Sequence, residues 1–345
     1  MSGGRADPQT WLSRHRRSGQ DAARLVVYTV PPIGASPAVH RDLAGAADDD
    51  IDVYSVRLPG REIRRDEAPL ASMAECVADL APRLASHSAH LRQPFALVGD
   101  CATSLLAYEL ARALERTGEV VPVATVAMVG RSPYFGYRDS QSHLAPTDRL
   151  REEVTTSGLM PPEITGDPDV FAMFEATVRA DLAVYETYRW DEQQLQQVPV
   201  FALVPVDLAQ DPRFTTWREA TRQQTRLIPI DASARTAAQI TTAITPPAEL
   251  AKVLAELRDA GGDPIQGGSG SSTCRAQVVA AWTSLLPEAR GTDDEHFLEA
   301  GGDSLLAVRL RNTLRDQVGR APSLELILRG TTLAALVAHL DRECA

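Results

Sequence analysis

Six short runs of apolar and β-branched residues alternate with helix-like stretches over the first two thirds of the chain. The runs occupy residues 25–30, 51–56, 95–98, 123–129, 200–206 and 227–230. Strands that are apolar along their whole length are typical of parallel sheets that helices cover on both faces. The alternation therefore predicts an α/β fold with a largely parallel sheet.

The strand pattern is interrupted once and ends well before the C-terminus. Residues about 141–190 have helical periodicity, which indicates a helical lid inserted into the sheet domain. Residues 261–272 are rich in Gly and Ser and predict a flexible linker. The sequence therefore predicts a flexible leader at 1–23, an α/β domain at 24–260, the linker, and a small all-α four-helix bundle at 273–345.

The charge and cysteine content exclude several classes of protein. A formal net charge of −11 provides no basic surface for nucleic acid or an anionic membrane. No apolar run approaches the roughly 20 residues that a membrane-spanning helix needs. The four cysteines lie far apart without metal-type spacing, and the N-terminus lacks a signal-peptide hydrophobic region. We therefore expect a cytoplasmic protein with no metal site that acts on small thiol-linked substrates and protein partners.

The block Phe-Leu-Glu-Ala-Gly-Gly-Asp-Ser-Leu-Leu-Ala-Val at 297–308 has a clear chemical meaning. A Gly-Gly turn before Asp303 and Ser304 places a hydroxyl at a helix N-terminus, where amide donors favour a phosphodiester. The block resembles the attachment motif of phosphopantetheine carrier domains of the nonribosomal peptide synthetase type. The resemblance implies a peptidyl or acyl carrier domain with 4'-phosphopantetheine on Ser304, Asp303 in the cofactor site, and a phosphopantetheinyl transferase as partner.

Three blocks of the first domain carry a second resemblance. They are Arg-Leu-Pro-Gly-Arg-Glu at 57–62, Phe-Ala-Leu-Val-Gly-Asp-Cys at 95–101 running into Leu-Leu-Ala-Tyr-Glu-Leu-Ala-Arg at 105–112, and Tyr-Glu-Thr-Tyr at 185–188. The domain resembles the stand-alone, type II thioesterases that serve nonribosomal peptide and polyketide synthases. The resemblance implies an α/β-hydrolase sheet with a helical lid.

In that family a strand-turn-helix elbow presents a serine within a Gly-x-Ser-x-Gly frame. Here the frame is Gly-Asp-Cys-Ala-Thr at 99–103, so the nucleophile would be Cys101, and an acid precedes it. The resemblance implies oxyanion donors at the amides of Ala102 and, in the loop at 31–35, Ile33. It also implies a triad acid at Asp207, which follows the run at 200–206.

The histidine of the family's triad is missing. The segment after 227–230 contains none, and no histidine occurs between His143 and His296. A cysteine, with a reference pKa of about 8.5, is already a few per cent thiolate at neutral pH and tolerates this loss better than a serine. Water, with a pKa near 15.7, still needs a general base to attack an acyl-enzyme. The two changes together therefore favour a thiol acceptor over water.

The main hypothesis is an acyl or aminoacyl transacylase of nonribosomal peptide biosynthesis. Cys101 would take the group from one pantetheine thiol and pass it to another, with the arm on Ser304 as donor or acceptor. Adenylation and carrier domains of a synthetase, and a tailoring enzyme acting on the tethered group, would be partners.

Three alternatives remain open at this point. One is an editing or off-loading hydrolase with a substitute base such as His143 or His40. Another is a Cys-dependent cyclase or amide-forming enzyme, since thioesters are attacked well by amines. The third is a catalytically inactive hydrolase domain that docks the carrier.

Overall fold

A computed structural model describes residues 8–16, 23–191, 198–223, 225–231, 248–260, 276–286, 289–290, 292, 294–318, 322–328 and 331–336. These residues fall into two compact units, one within 1–59 and 68–267 and the other within 60–67 and 268–345. The predicted linker at 261–272 lies outside the described residues. The predicted domain boundaries therefore stay predictions.

The first unit is built on one seven-stranded sheet. Its strands are β1 (Leu12–Arg16), β2 (Leu25–Val30), β3 (Ile51–Val56), β4 (Phe95–Asp100), β5 (Ala124–Met128), β6 (Val200–Pro205) and β7 (Thr225–Ile230), in the spatial order β1-β3-β2-β4-β5-β6-β7. The six strands β2 to β7 run parallel to their neighbours in the sheet, while β1 is antiparallel to β3. Every residue of β2 to β6 is buried, which explains their continuous apolar runs. The predicted α/β fold class is confirmed.

Helices cover the sheet. Their bounds are α2 (Arg41–Ala46), α3 (Met73–Leu91), α4 (Ser104–Thr117) and α9 (Ala248–Asp259). Buried side chains of α2 and α9 share one core with alternate residues of the central strands, Val27, Val53, Val98 and Val126. Helix α3 packs against α4, which lies along β4 and β5.

Part of the predicted flexible leader belongs to the sheet instead. Residues 8–16 form a short helix α1 (Pro8–Trp11) and the edge strand β1. Trp11 is buried, and its ring meets the ring of His87 edge-on, with a centroid distance of 6.0 Å. The backbone amide of Arg57 donates to the Trp11 carbonyl at 2.7 Å. The sequence of β1, Leu-Ser-Arg-His-Arg, is polar because an edge strand is covered on fewer sides, so its pattern did not predict a strand.

The stretch predicted to be a lid contains a 3₁₀ turn at Ser142–Leu144 and the helices α5 (Thr147–Thr156), α6 (Pro162–Thr165) and α7 (Pro168–Glu186). Two further short segments, a 3₁₀ turn at Val206–Leu208 and helix α8 (Pro212–Thr215), follow β6. Tyr188, just beyond α7, donates its hydroxyl to the Glu109 carboxylate at 2.6 Å, and Arg112 pairs with the same carboxylate. The end of the lid is thereby fixed to α4.

The second unit is helical, as the sequence predicts. Its described helices are α10 (Ala276–Leu285), α11 (Ser304–Val318) and α12 (Leu324–Leu328); α11 packs against both α10 and α12, and Phe297 is buried. The Phe297 ring contacts Trp282 edge-on, with a centroid distance of 5.7 Å. The Trp282 indole donates to Glu295 at 3.0 Å, so its polar edge is satisfied inside the unit.

Candidate active site

Strand β4 enters α4 through a sharp turn that begins at Cys101. Cys101 has a φ of +53°, a left-handed conformation that costs energy for a residue with a side chain and that is common at functional sites. A Cβ atom on Gly99 would lie 2.5 Å from the backbone nitrogen of Ser104. A Cβ atom on Gly130 would overlap the Ser104 side chain. Glycine at both positions therefore lets α4 approach the ends of two strands, which produces the predicted elbow.

Thr103, which replaces the second glycine of the family frame, tightens this turn. Its hydroxyl accepts from the Asp100 amide at 2.9 Å and lies within donor reach of the carbonyls of Asp100 at 2.8 Å and Val30 at 3.0 Å. The Asp100 side chain in return accepts from the Thr103 amide, which completes a capping box. The hydroxyl thus joins the end of β2 to the elbow.

The side chain that the structure places beside the thiol is Tyr137. Cys101 is half-buried, and its Sγ lies 3.7 Å from the Tyr137 hydroxyl. The Arg131 amide donates to the same hydroxyl at 3.3 Å, and the Arg131 guanidinium lies 4.8 Å from the Tyr137 ring centroid. Asp139 holds that guanidinium at 2.8 Å. The loop after β5 therefore presents a phenol to the Cys101 thiol.

Sequence reasoning did not identify Tyr137. The loop that carries it reads Arg-Ser-Pro-Tyr-Phe-Gly-Tyr-Arg-Asp, with three aromatic residues and no periodicity. Only the fold shows which of the three faces the thiol.

The surroundings of Cys101 shift its titration upward. Burial and then the neighbouring Asp100 carboxylate raise the pKa of the thiol, while the Tyr137 hydroxyl, the Ala102 amide and Arg131 act in the opposite direction. Burial, followed by the nearby Cys101, also raises the pKa of Tyr137 well above its usual range. At neutral pH both groups are protonated, so the phenol can donate to the sulfur when a thiolate forms.

The residues named as oxyanion donors lie at the elbow and at the end of the neighbouring strand. Ala102 is the residue after Cys101, and a hydrogen bond from its amide lowers the pKa of the thiol. Ile33 is in the loop that follows β2, and the last residue of β2, Val30, pairs with Gly99 of β4. The loop thus begins beside the elbow. Both assignments stay proposals.

The predicted triad acid, Asp207, lies in a more exposed environment than the Cys101 thiol. It lies in the 3₁₀ turn after β6, at the same edge of the sheet, and its side chain is exposed. Because no histidine occurs between His143 and His296, the thioesterase part of the sequence supplies no histidine after β7 for Asp207 to orient. The role of triad acid therefore has no structural support here.

The two histidines considered as substitute bases occupy different positions. His40 is buried, and its Nδ1 lies 2.8 Å from the Thr29 hydroxyl and 2.9 Å from that of Ser55. Burial lowers the pKa of His40 to about 3, so it stays neutral within this network. His143 lies in the lid, where its Nδ1 and its amide both contact the Glu186 carboxylate.

In the second unit, Ser304 is the first residue of α11. Asp303 precedes it and accepts the Leu306 amide at 2.6 Å, so Asp303 is the residue that caps the helix. Gly301 has a φ of +84°, and a Cβ atom on Gly302 would overlap Phe297, so this turn requires both glycines. Ser304 is half-buried at the positive end of the helix dipole, an environment that fits a phosphodiester.

Among the residues that the structure describes, no group of three or more His, Cys, Asp or Glu side chains could hold a metal ion. In the same residues, no helix is long and apolar enough to cross a bilayer.

Replacing Asp100 by Asn should lower the pKa of Cys101, because it removes the carboxylate charge and retains a capping oxygen. Alkylation requires the thiolate, so its rate rises with pH until the thiol has titrated. We expect the pH profile of Cys101 alkylation by iodoacetamide, followed by peptide mass spectrometry, to shift to lower pH in Asp100→Asn. Asp207→Asn, an exposed acid at the same sheet edge, is the control. An unshifted Asp100→Asn profile would contradict this electrostatic account.

Replacing Tyr137 by Phe should raise the pKa of Cys101 further, because the thiolate loses a hydroxyl donor. A hydrogen bond to a charged group contributes about 1.5–3 kcal/mol, which corresponds to a roughly ten- to hundredfold slower alkylation at pH 7. Tyr134→Phe, in the same loop but exposed, should behave as the wild type. Equal rates in Tyr137→Phe and the wild type would show that the phenol does not support the thiolate.

Two family models match the chain, one in its N-terminal part and one in its C-terminal part. The thioesterase domain model matches residues 26–246, and the phosphopantetheine attachment site model matches residues 276–340. The gramicidin S biosynthesis protein GrsT of Aneurinibacillus migulanus is 25% identical over 181 residues, which cover 52% of this chain and 70% of GrsT. The AMB antimetabolite synthetase AmbE of Pseudomonas aeruginosa is 28% identical over 199 residues, which cover 56% of this chain but 9% of AmbE.

Solved structures share the fold of the first unit. The type II thioesterase BorB from the borrelidin biosynthetic cluster superposes with a TM-score of 0.60 at 24% identity and covers 72% of this chain and 98% of BorB. The RedJ thioesterase of the prodiginine pathway in Streptomyces coelicolor gives 0.57 at 26% identity, with coverages of 69% and 86%. The chain therefore belongs to the thioesterase family of α/β-hydrolase fold, and its C-terminal domain is one that attaches 4'-phosphopantetheine.

Proposed function

We propose that the protein is a transacylase that moves a thioester-bound acyl or aminoacyl group through Cys101. The observation that carries the proposal is a cysteine in the left-handed position of the elbow, beside the Tyr137 hydroxyl, in a chain with no histidine between His143 and His296. The elbow geometry supports nucleophilic attack. The absence of a triad base disfavours the use of water.

The first half of the reaction forms a thioester on Cys101. The Cys101 thiolate adds to the thioester carbonyl of the donor, and the amides of Ala102 and Ile33 receive the developing negative charge. The carbon–sulfur bond to the donor thiol then breaks, and the donor thiolate takes up the proton that Cys101 released. Tyr137 stabilises the Cys101 thiolate by donating a hydrogen bond from its hydroxyl group.

The second half transfers the group to an acceptor thiol. The acceptor thiolate attacks the Cys101 thioester, the Cys101 sulfur leaves as a thiolate, and a proton returns to it. One thioester is exchanged for another, so the step is close to balanced in free energy. Water would need a general base in place of the missing histidine. The raised pKa of the Cys101 thiol makes it a good nucleophile once ionised, at the cost of a small ionised fraction.

Ser304 is the residue that would carry the 4'-phosphopantetheine arm in this chain. When attached, the arm supplies a thiol that can act as donor or acceptor. Asp303 and the turn at Gly301 and Gly302 would hold the start of α11 in a form that a phosphopantetheinyl transferase can modify. A thiol tethered to the same chain reaches a high effective concentration when the linker length allows it.

The relatives support a role in natural-product biosynthesis. Their names refer to gramicidin S biosynthesis and to an antimetabolite synthetase, and BorB and RedJ come from the borrelidin and prodiginine pathways. We infer that the donors and acceptors are carrier domains of a synthetase whose adenylation domains load them. A tailoring enzyme acting on the tethered group would be a further partner.

A hydrolase is the second candidate, because one specific contact favours it. His143 is paired with Glu186 in the lid, and an imidazole that is oriented by a carboxylate can serve as a general base. A lid movement that brings His143 to the acyl group would be required. The hydrolase predicts release of a free acid.

Acyl transfer can be followed directly on the phosphopantetheinylated protein. Incubated with acyl-loaded carrier domains, Ser304→Ala should accumulate the acyl group on Cys101, and Cys101→Ala should acquire none on its own arm. Cys76→Ala, which removes a buried cysteine of α3, should transfer like the wild type. Free acid that depends on His143 would favour the hydrolase. A Cys101 that is never acylated would contradict both candidates.

A further inference from the structure

The loop that would supply the second oxyanion amide is bound by a carboxylate of the lid. Gly34, in the loop after β2, has a φ of +69° and donates its amide to Asp181 Oδ2 at 2.8 Å. Asp181 belongs to α7, 147 residues further along the chain. Its side chain is buried, with 4% of its surface exposed. A buried carboxylate that accepts a backbone amide forms a strong, charge-assisted hydrogen bond.

Helix α7 also packs closely on this loop. A Cβ atom on Gly34 would lie 3.2 Å from Val178 Cγ2 and 3.8 Å from Met160 Cγ. Val178 and Asp181 are three residues apart and therefore lie on the same face of α7. One face of the lid helix thus contacts the loop both through an apolar side chain and through a charged hydrogen bond.

Two hydrogen bonds, one within the loop and one to Asp181, fix two successive peptide groups. The carbonyl of Pro32 accepts from the Ala35 amide at 3.0 Å, and in a trans peptide the Ile33 amide must then point in the opposite direction. The next peptide group, between Ile33 and Gly34, is fixed through the Gly34 amide by Asp181. The direction of the Ile33 amide therefore depends on the turn that Asp181 holds in place.

We propose that Asp181 is a positioning residue that couples the lid to the oxyanion loop. It holds the turn in which the Ile33 amide faces the carbonyl that Cys101 attacks, so that the donor is in place when the lid helix is docked. Displacement of α7 would release the Gly34 amide and remove that alignment. This inference rests on the proposed function, since it assigns Asp181 a role in the attack of Cys101 on a thioester.

Two reactions of the Cys101 sulfur distinguish a positioning role of Asp181 from a purely structural one. Attack on a thioester develops an oxyanion, whereas alkylation by iodoacetamide does not. In the full-length apo-protein, acylation of Cys101 by acetyl-pantetheine and its alkylation would be measured at one pH by peptide mass spectrometry. Loss of one oxyanion donor slows acyl transfer by about 10²–10³-fold. We expect Asp181→Ala to slow acylation by at least about tenfold and to change alkylation by less than about twofold.

Two further variants keep the test decisive. Asp181→Asn retains an acceptor oxygen at the same position and should fall between Asp181→Ala and the wild type, even where the Ala variant folds poorly. Asp169→Asn changes an exposed acid on the first turn of α7 and should leave both reactions unchanged. Unchanged acylation in Asp181→Ala, or an equal loss of acylation and alkylation in both Asp181 variants, would overturn the inference. A wild type that is never acylated would overturn the proposed function and this inference together.

Discussion

The close approach of α4 to the carboxyl ends of β4 and β5 determines the geometry around Cys101. That approach requires glycine at positions 99 and 130, because a Cβ atom at either position would overlap Ser104. It gives Cys101 a left-handed backbone and brings the loop after β5 near enough for Tyr137 to reach the sulfur. Thr103 then ties the end of β2 to the same turn. The carboxyl ends of three parallel strands, β2, β4 and β5, thereby meet at the turn that carries the thiol.

Most of the framework could be predicted from the sequence, because buried parallel strands are continuously apolar and carrier attachment requires a distinctive turn. Strand β1 could not, since an edge strand of polar residues has little periodicity. Tyr137 and Asp181 could not be identified either. Tyr137 lies 36 residues from Cys101, and Asp181 lies 147 residues from Gly34, so only the tertiary structure brings each pair together. The pairing of His143 with Glu186 was missed for the same reason.

The electrostatics of the site fit a nucleophile that acts without a triad. Burial and Asp100 hold the thiol protonated, while Tyr137, the Ala102 amide and Arg131 favour the thiolate. A serine in this position would need a base to remove its proton, yet His40 is buried and committed to Thr29 and Ser55, and no histidine occurs between His143 and His296 to take the triad position. A cysteine can ionise without one. The replacement of serine by cysteine and the loss of the histidine are therefore mutually consistent.

The most direct test of the account is the fate of the acyl group once it is on Cys101. Acyl-Cys101 protein, prepared with Ser304→Ala so that no internal arm competes, would be transferred into buffer with and without free pantetheine. The products, acyl-pantetheine and free acid, would be quantified over a single turnover. The account predicts that the acyl group persists in buffer alone and is released rapidly to the added thiol. Rapid release of free acid in the absence of thiol would contradict it.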